Sequence, residues 1–296
     1  MPVRSLAVLV ALFAGCGADL GGPCSVTDPC GSGEVCDLTD PEGPRCVAAG
    51  GDDDGDGIRN ERDFCQHIEG GAFDEDLDGY GDVCDACPIA PPPVTPDPDA
   101  DDLESPCDPD PTVAGDRAVV FNGFNDPALP AGWKASALWR LVGGEIIVEA
   151  PAVLESLTVP LPLISTHIAI LARYRIDAIA TGVSENAASV VGIDRRPGGL
   201  SVVSCGASRS GGTDRLLLDT DTANVADDFT TSLFDPAGLY RVAAKLDNAT
   251  AACAMIADRE TGATQATTTG QAMTEAGLTA RSATVRFSYL LAVQRP

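Results

Sequence analysis

T-V-R-F-S-Y-L-L-A-V-Q, residues 284–294, sets the expected architecture of the C-terminal part of this chain. Val285, Phe287, Tyr289, Leu291 and Val293 alternate with Arg286, Ser288, Leu290, Ala292 and Gln294. Neighbouring side chains of a strand point to opposite faces, so period two in β-branched and aromatic residues predicts a half-buried strand. Tyr240, Val242, Ala244 and Leu246 alternate in the same way with Arg241, Ala243, Lys245 and Asp247. Further strands are expected over residues 118–121, 137–142, 145–149, 153–159, 164–176, 189–194, 200–205, 215–219 and 253–258. Gly-Gly, Asn-Asp-Pro, Asp-Pro-Ala-Gly and Thr-Gly turns separate them, and no segment holds helical periodicity. Residues 116–296 therefore read as one two-sheet β-sandwich in a mainly β protein.

Upstream the composition changes. The 296 residues carry a net charge of −25, and residues 51–116 hold 21 acids against two bases, Arg59 and Arg62. This balance argues against nucleic acid or anionic lipid as a direct electrostatic partner. The segment also buries too little apolar surface to fold unaided. Its order is internal: D-D-D-G-D-G-I-R-N-E-R-D from Asp52, D-E-D-L-D-G-Y-G-D-V-C-D from Asp74 and D-P-D-A-D-D-L-E-S-P-C-D from Asp97. The first copy places acids at positions 1, 3, 5 and 12 (Asp52, Asp54, Asp56, Asp63), with Gly57 at 6 and Asn60 at 9. The second places Asp74, Asp76, Asp78, Asp82 and Asp85 at 1, 3, 5, 9 and 12, with Gly79 at 6. The third has Asp97, Asp99, Asp101 and Asp108, but Asp102 replaces the glycine and Ser105 stands at 9. Hard oxygens at this spacing, a carbonyl at position 7 (Ile58, Tyr80, Leu103) and a glycine for the sharp turn are what a Ca2+ loop requires. No helices flank the loops, so they are not paired as EF-hands. Magnesium seldom uses an all-protein cage.

Eleven cysteines indicate an oxidising compartment. Cys65 and Cys87 stand at position 14 of the first two copies, and Cys84 and Cys107 at position 11 of the last two. The outer copies lack the cysteine that would have no neighbour. Bridges Cys65–Cys84 and Cys87–Cys107 are therefore expected, each tying one repeat to the next. Cys205 and Cys253, alone in the C-terminal region, pair by elimination. Cys24, Cys30, Cys36 and Cys46, set among Gly, Pro and Asp, form a small knot with three possible connectivities.

These acidic copies closely resemble thrombospondin type 3 repeats, which wrap irregularly around a row of calcium ions. The match is specific through Pro88 and fades in the third copy. At the N-terminus, Arg4, the apolar run Leu6–Ala14 and L-F-A-G-C ending at Cys16 resemble the signal and lipobox of bacterial lipoproteins. That resemblance implies cleavage before Cys16, acylation of Cys16 and, with Gly17 next, an outer-membrane or cell-surface location. Removing Cys16 leaves ten cysteines, an even number. F-N-G-F-N-D-P-A-L-P-A-G-W (121–133), W-R-L-V-G-G-E-I-I-V (139–148) and the closing strand resemble concanavalin A-like, laminin G-like jelly rolls. The domain expectation is then a signal over 1–15, a lipidated tether over 16–23, a cysteine-rich module over 24–50, calcium repeats with a proline-rich spacer over 51–111, and the sandwich over 116–296.

Catalysis finds little support in the residues. The E-x-D-x-x-E strand motif of jelly-roll glycoside hydrolases is missing, and Glu145 and Glu149 read as an exposed polar strand face. His167 lies in an apolar strand with no G-x-S-x-G elbow. His67, between the first two repeats, reads as a solvated loop histidine, and Trp133 and Trp139 fit the core. The expected function is a non-catalytic, calcium-binding, lipid-anchored surface protein that presents the sandwich to a glycan or a surface protein. A surface glycoside hydrolase and a purely structural envelope protein are the alternatives.

Overall fold

The computed structural model describes residues 20–25, 27–90, 97–197, 200–229, 232–257 and 260–296. The lipobox and Cys16 lie outside them. The chain divides into two units, Met1–Pro88 and Ile89–Pro296, so the expected repeat segment 51–111 contributes to both. Among the described residues no helix is long and apolar enough to cross a membrane.

In the first unit a short hairpin, β1 (Glu34–Asp37) and β2 (Arg45–Ala48), pairs Cys36 opposite Cys46. Disulfides Cys24–Cys36 and Cys30–Cys46 settle the knot as first-to-third and second-to-fourth. A 3-10 turn, Asn60–Arg62, forms positions 9–11 of the first acidic loop. Cys65–Cys84 forms as the repeat register predicts. Cys87 and Cys107, in different units, are both buried disulfide cysteines.

The second unit stacks two antiparallel sheets. One has the order β11 (Asn224–Phe229), β10 (Thr213–Asp219), β9 (Ser201–Ser210), β8 (Asn186–Asp194), β15 (Met273–Arg281), β6 (Glu155–Ser165). The other runs β14 (Glu260–Thr267), β13 (Thr250–Ala257), β12 (Leu239–Asp247), β7 (His167–Ile179), β16 (Ala283–Arg295), β5 (Ile146–Val148), β4 (Trp139–Leu141), and β3 (Arg117–Asn122) also pairs with β16. Leu157, Val190, Leu216 and Leu278 from the first sheet meet Ile170, Tyr174, Val242 and Phe287 from the second in one core. The Tyr174 ring lies 5.4 Å from both Tyr240 and Phe287. Cys205–Cys253 crosses this core, joining β9 to β13.

The alternation over residues 284–294 does not run through unbroken. The β16–β7 register shifts between Phe287 and Tyr289. Val285 and Phe287 face the inter-sheet core before the bulge, and Leu290 and Ala292 after it. A bulge inserts one unpaired residue and so exchanges the two faces of a strand. Tyr289 is therefore buried outside that core, with the Arg173 guanidinium 5.6 Å from its ring centroid.

Three strands escape the period-two reading. β15 (M-T-E-A-G-L-T-A-R) sits between β8 and β6, where its small residues are needed: a Cβ on Gly277 would lie 2.2 Å from the Leu157 carbonyl oxygen. β11 (N-V-A-D-D-F) and β14 (E-T-G-A-T-Q-A-T) are also missed, the first carrying only Val225 and Phe229 as large apolar residues and the second none.

Candidate metal centre

The three acidic loops share one backbone pattern. In all three the position-1 carboxylate accepts the N–H groups of positions 4 and 6: Asp52 from Gly55 (2.8 Å) and Gly57 (3.1 Å), Asp74 from Leu77 (2.6 Å) and Gly79 (2.9 Å), Asp97 from Ala100 (2.7 Å) and Asp102 (2.9 Å); Asp74 and Asp97 also accept from position 5. At position 5, Asp56, Asp78 and Asp101 accept from the N–H two residues on, at Ile58, Tyr80 and Leu103. At position 12, Asp63, Asp85 and Asp108 accept from Cys65, Cys87 and Asp110 in the same way. Such Asx turns arise because an aspartate reaches its own backbone two residues ahead.

Positive φ at positions 4 and 6 is required throughout. Glycine supplies it at Gly55, Gly57 and Gly79. Leu77 (66°), Ala100 (62°) and Asp102 (71°) adopt it without glycine, a conformation that costs a non-glycine residue on the order of 1 kcal/mol. The third loop thus closes like the others despite lacking the glycine at position 6.

Within each loop one oxygen from each of the first three aspartates lies within 4.8 Å of the others, in the sets Asp52, Asp54, Asp56; Asp74, Asp76, Asp78; and Asp97, Asp99, Asp101. Oxygens not spent on the backbone are enclosed. Asp54 Oδ2, Asp63 Oδ2, both Asp99 oxygens and Asp108 Oδ2 are buried and accept no hydrogen bond. Burial, reinforced by neighbouring aspartates, pushes the Asp63, Asp78, Asp99 and Asp108 carboxyls up, and Asp82 to about 6. Carboxylates gathered in this way, with unspent oxygens pointing inward, have the donor chemistry of a hard divalent cation site. The residues fit calcium: Asp52, Asp54, Asp56 and Asp63 would hold it in the first loop, Asp74, Asp76, Asp78 and Asp85 in the second, and Asp97, Asp99, Asp101 and Asp108 in the third. Ile58, Tyr80 and Leu103 stand at the carbonyl position. Bound calcium would supply positive charge directly against these carboxylates.

Position 9 works differently. Asn60 is 1% exposed, donates to the Ala48 carbonyl (2.9 Å) and accepts from Asp53 N–H (3.2 Å). Asp82 likewise accepts from Glu75 N–H (2.8 Å). Both fasten position 9 to position 2 of their own loop.

His67, expected to be solvated, is a clasp. Its Nδ1 lies 3.1 Å from Asp37 Oδ2 and its Nε2 2.8 Å from Asp40 Oδ2, and both carboxylates are buried. Arg45 pairs with the same Asp40 oxygen, and its Nη2 lies 3.3 Å from His67 Nε2. Burial disfavours the imidazolium, but the Gln66 backbone, Asp37 and Asp40 outweigh it and raise the His67 pKa. Sequence spacing gave no signal for this contact, because Asp40 precedes His67 by 27 residues and lies with Asp37 in the cysteine-rich module, outside the repeats.

In the second unit, a groove of about 480 Å³ runs over the outward face of the six-stranded sheet. Ser189, Ser204 and Thr279 form a hydroxyl ladder across β9, β8 and β15, with 3.0 Å from Ser204 to Ser189 and 2.5 Å from Ser189 to Thr279. Glu185, Asp219 and Arg281 line it too, and no aromatic ring does among the described residues. The other sandwich candidates are engaged elsewhere. Glu145 pairs with Arg175 and Arg286, Glu149 with Arg140, and His167 with Asp247. Trp139 is buried, and Trp133 packs edge-on against Phe124 at 5.9 Å.

No protein-family model matches this chain, and no curated protein matches it by sequence. Among solved structures it is similar to basic winged bean lectin with Tn-antigen, at 8% identity and TM-score 0.45, over 61% of this chain and 99% of that one. It is also similar to Bacillus licheniformis β-glucanase (7%, TM-score 0.42, 60% and 98%). A third is the CBM2 module of the Lactobacillus casei phage J-1 evolved Dit (12%, TM-score 0.43, 60% and 96%). Identities of 7–12% with TM-scores below 0.5 assign neither a ligand nor an activity.

Proposed function

We propose that this chain is a calcium-binding, lipid-anchored surface protein that holds out a non-catalytic β-sandwich for adhesion or glycan binding. The observation that carries the calcium reading is the set of buried carboxylate oxygens without a hydrogen-bond donor, repeated at equivalent positions of the acidic loops. A solvated acidic linker has no reason to enclose them. The anchor rests on the L-F-A-G-C sequence ending at Cys16, and through it the outer-membrane or cell-surface location. For the sandwich, a groove of this size is within the range that accommodates a small ligand, and its hydroxyl ladder offers both donors and acceptors to a sugar.

Calorimetric titration of the chain with calcium tests the first part. At least two ions per chain are expected, with dissociation constants of about 10⁻⁴–10⁻³ M, as in extracellular modules. No heat and no thermal shift at about 10 mM calcium would sink it. A glycan array probed with and without calcium tests the second.

One observation favours a hydrolase as the second reading. In the groove, burial and the neighbouring Glu185 outweigh an Asn224 hydrogen bond and raise the Asp219 carboxyl, as a general acid requires. Release of reducing sugar by the wild-type chain but not by Asp219→Asn would establish it over the binder.

A further inference from the structure

The third acidic loop carries a carboxylate that the twelve-residue pattern does not contain. In the first repeat Gly70 N–H donates to Asp56 Oδ2 (2.8 Å), and in the third Gly115 N–H donates to Asp101 Oδ2 (3.0 Å), fourteen residues after the position-5 aspartate in both. Asp116 therefore occupies the place that Gly71 has in the first repeat. That place adjoins the position-12 carboxylate: a Cβ built on Gly71 would lie 2.0 Å from Asp63 Oδ1. The third repeat has an aspartate there.

The Asp116 side chain is 3% exposed, and its Oδ2 accepts no hydrogen bond. Arg295 Nη1 stands 3.8 Å away, outside hydrogen-bond distance, and also faces Asp110 at 3.4 Å. Asp108, Asp101 and Asp110 surround Asp116 with like charge. Asp108 Oδ2 and both oxygens of Asp99 are buried without a donor as well. Arg295 and, beside Asp110, Lys245 are two cations against Asp99, Asp101, Asp108, Asp110 and Asp116 and do not balance them, and buried charge left unbalanced is costly.

We propose that Asp116 is a direct ligand of a calcium ion in the third loop, standing in for the position-9 side chain that Ser105 does not match. The proposal rests on reading the acidic loops as calcium sites. It gives the third site a role that the first two lack. Asp116 immediately precedes β3, Asp101 also accepts the Asp116 N–H (2.7 Å), and Arg295 closes β16. Calcium bound there ties the loop to two paired strands of the sandwich, so the ion stabilises the sandwich itself.

The test uses the full chain as wild type, Asp116→Asn and Asp54→Asn, with calcium calorimetry and thermal unfolding followed by tryptophan fluorescence. Both tryptophans, Trp133 and Trp139, belong to the sandwich unit and report only on it. Calcium is expected to raise the wild-type midpoint. Asp116→Asn is expected to lose one ion, or to bind it at least about tenfold more weakly, and to lose that rise. Asp54→Asn is expected to lose a different ion and to keep the rise. In chelator, Asp116→Asn is expected to be at least as stable as wild type, because it removes repulsion. A midpoint below wild type in chelator would assign Asp116 to its ion pair with Arg295 and overturn the proposal. Unchanged calcium binding and an unchanged rise in Asp116→Asn would also overturn it while leaving the loops as calcium sites. A wild-type chain that binds no calcium would overturn both.

Discussion

Removing the Cys205–Cys253 bridge offers a quantitative test of the sandwich. The two cysteines are 48 residues apart and join strands of opposite sheets, β9 and β13. In the chain-entropy treatment, closing a loop of that length removes roughly 14 cal/mol/K from the unfolded ensemble, or about 4 kcal/mol at 25 °C. Both sulfurs are buried in the core, so the double variant Cys205→Ala, Cys253→Ala also loses packing, which adds to the cost. The expected loss is therefore at least about 4 kcal/mol, a large share of the ~5–15 kcal/mol typical of a folded domain. Urea unfolding of the full chain at constant calcium measures it, with tryptophan fluorescence as the probe. Trp139 is 7% exposed, with its ring 5.9 Å from Phe287, so loss of sheet packing changes its emission. The double variant should show a lower midpoint and a steeper slope, since its uncrosslinked unfolded chain exposes more surface. A loss below about 1 kcal/mol would refute the argument that this bridge holds the sheets together.

Two other features yield separate tests. Protonated His67 sits between Asp37 and Asp40 with a raised pKa; its contribution is complete below its unfolded value of 6.5 and is lost as pH rises through the higher folded value. Hydrogen exchange of the β1–β2 amides should show less protection at alkaline than at mildly acidic pH after correction for intrinsic rates, and His67→Gln should abolish that difference; pH-independent wild-type protection would count against the clasp. Asp214, 5% exposed, pairs with Arg209 and accepts the N–H groups of Leu233 (2.7 Å) and Phe234 (2.9 Å). Burial opposes its charge, but these partners outweigh it and hold its pKa low, so the stabilisation is present above pH 3.8 and disappears as pH falls through the depressed value. Asp214→Asn should cost about 3 kcal/mol at neutral pH, the lower end for breaking a buried pair because Arg209 keeps Asp235 as a partner. An unchanged urea midpoint would contradict that assignment.

Much of this structure could be read from local pattern. The D-x-D-x-D spacing located the three loops, and the offset of cysteines between positions 11 and 14 gave the Cys65–Cys84 bridge. The two-sheet sandwich followed from period-two strands. What escaped was set by distant neighbours. β15 looks like a turn-rich segment until β6 and β8 lie on both sides and demand Gly277. Past the bulge in β16, residues 289–293 (Y-L-L-A-V) are apolar on both faces, so the exchange of faces leaves no mark in the alternation. The third loop lacked the glycine that the turn favours, yet Ala100 and Asp102 adopt the required left-handed conformation. Asp116 lies beyond the twelve-residue frame, and only the bond from Gly115 to Asp101 brings it into register with Gly71.

The position of β16 has a consequence for how the chain acquires its structure. It pairs with β7 along nearly its whole length and also with β5 and β3, all formed from residues far earlier in the chain. Until residues 283–295 arrive, β7 presents an open edge and β3 has no partner strand. The N-terminal unit is the opposite case, with disulfides spanning 12, 16 and 19 residues and the first two aspartate loops each closing on their own backbone. Local closure is fast and non-local sheet assembly slow. Refolding should therefore proceed in two kinetic phases, with the first two acidic loops organised before the sandwich, so that exposed β7 makes the intermediate prone to strand-edge association.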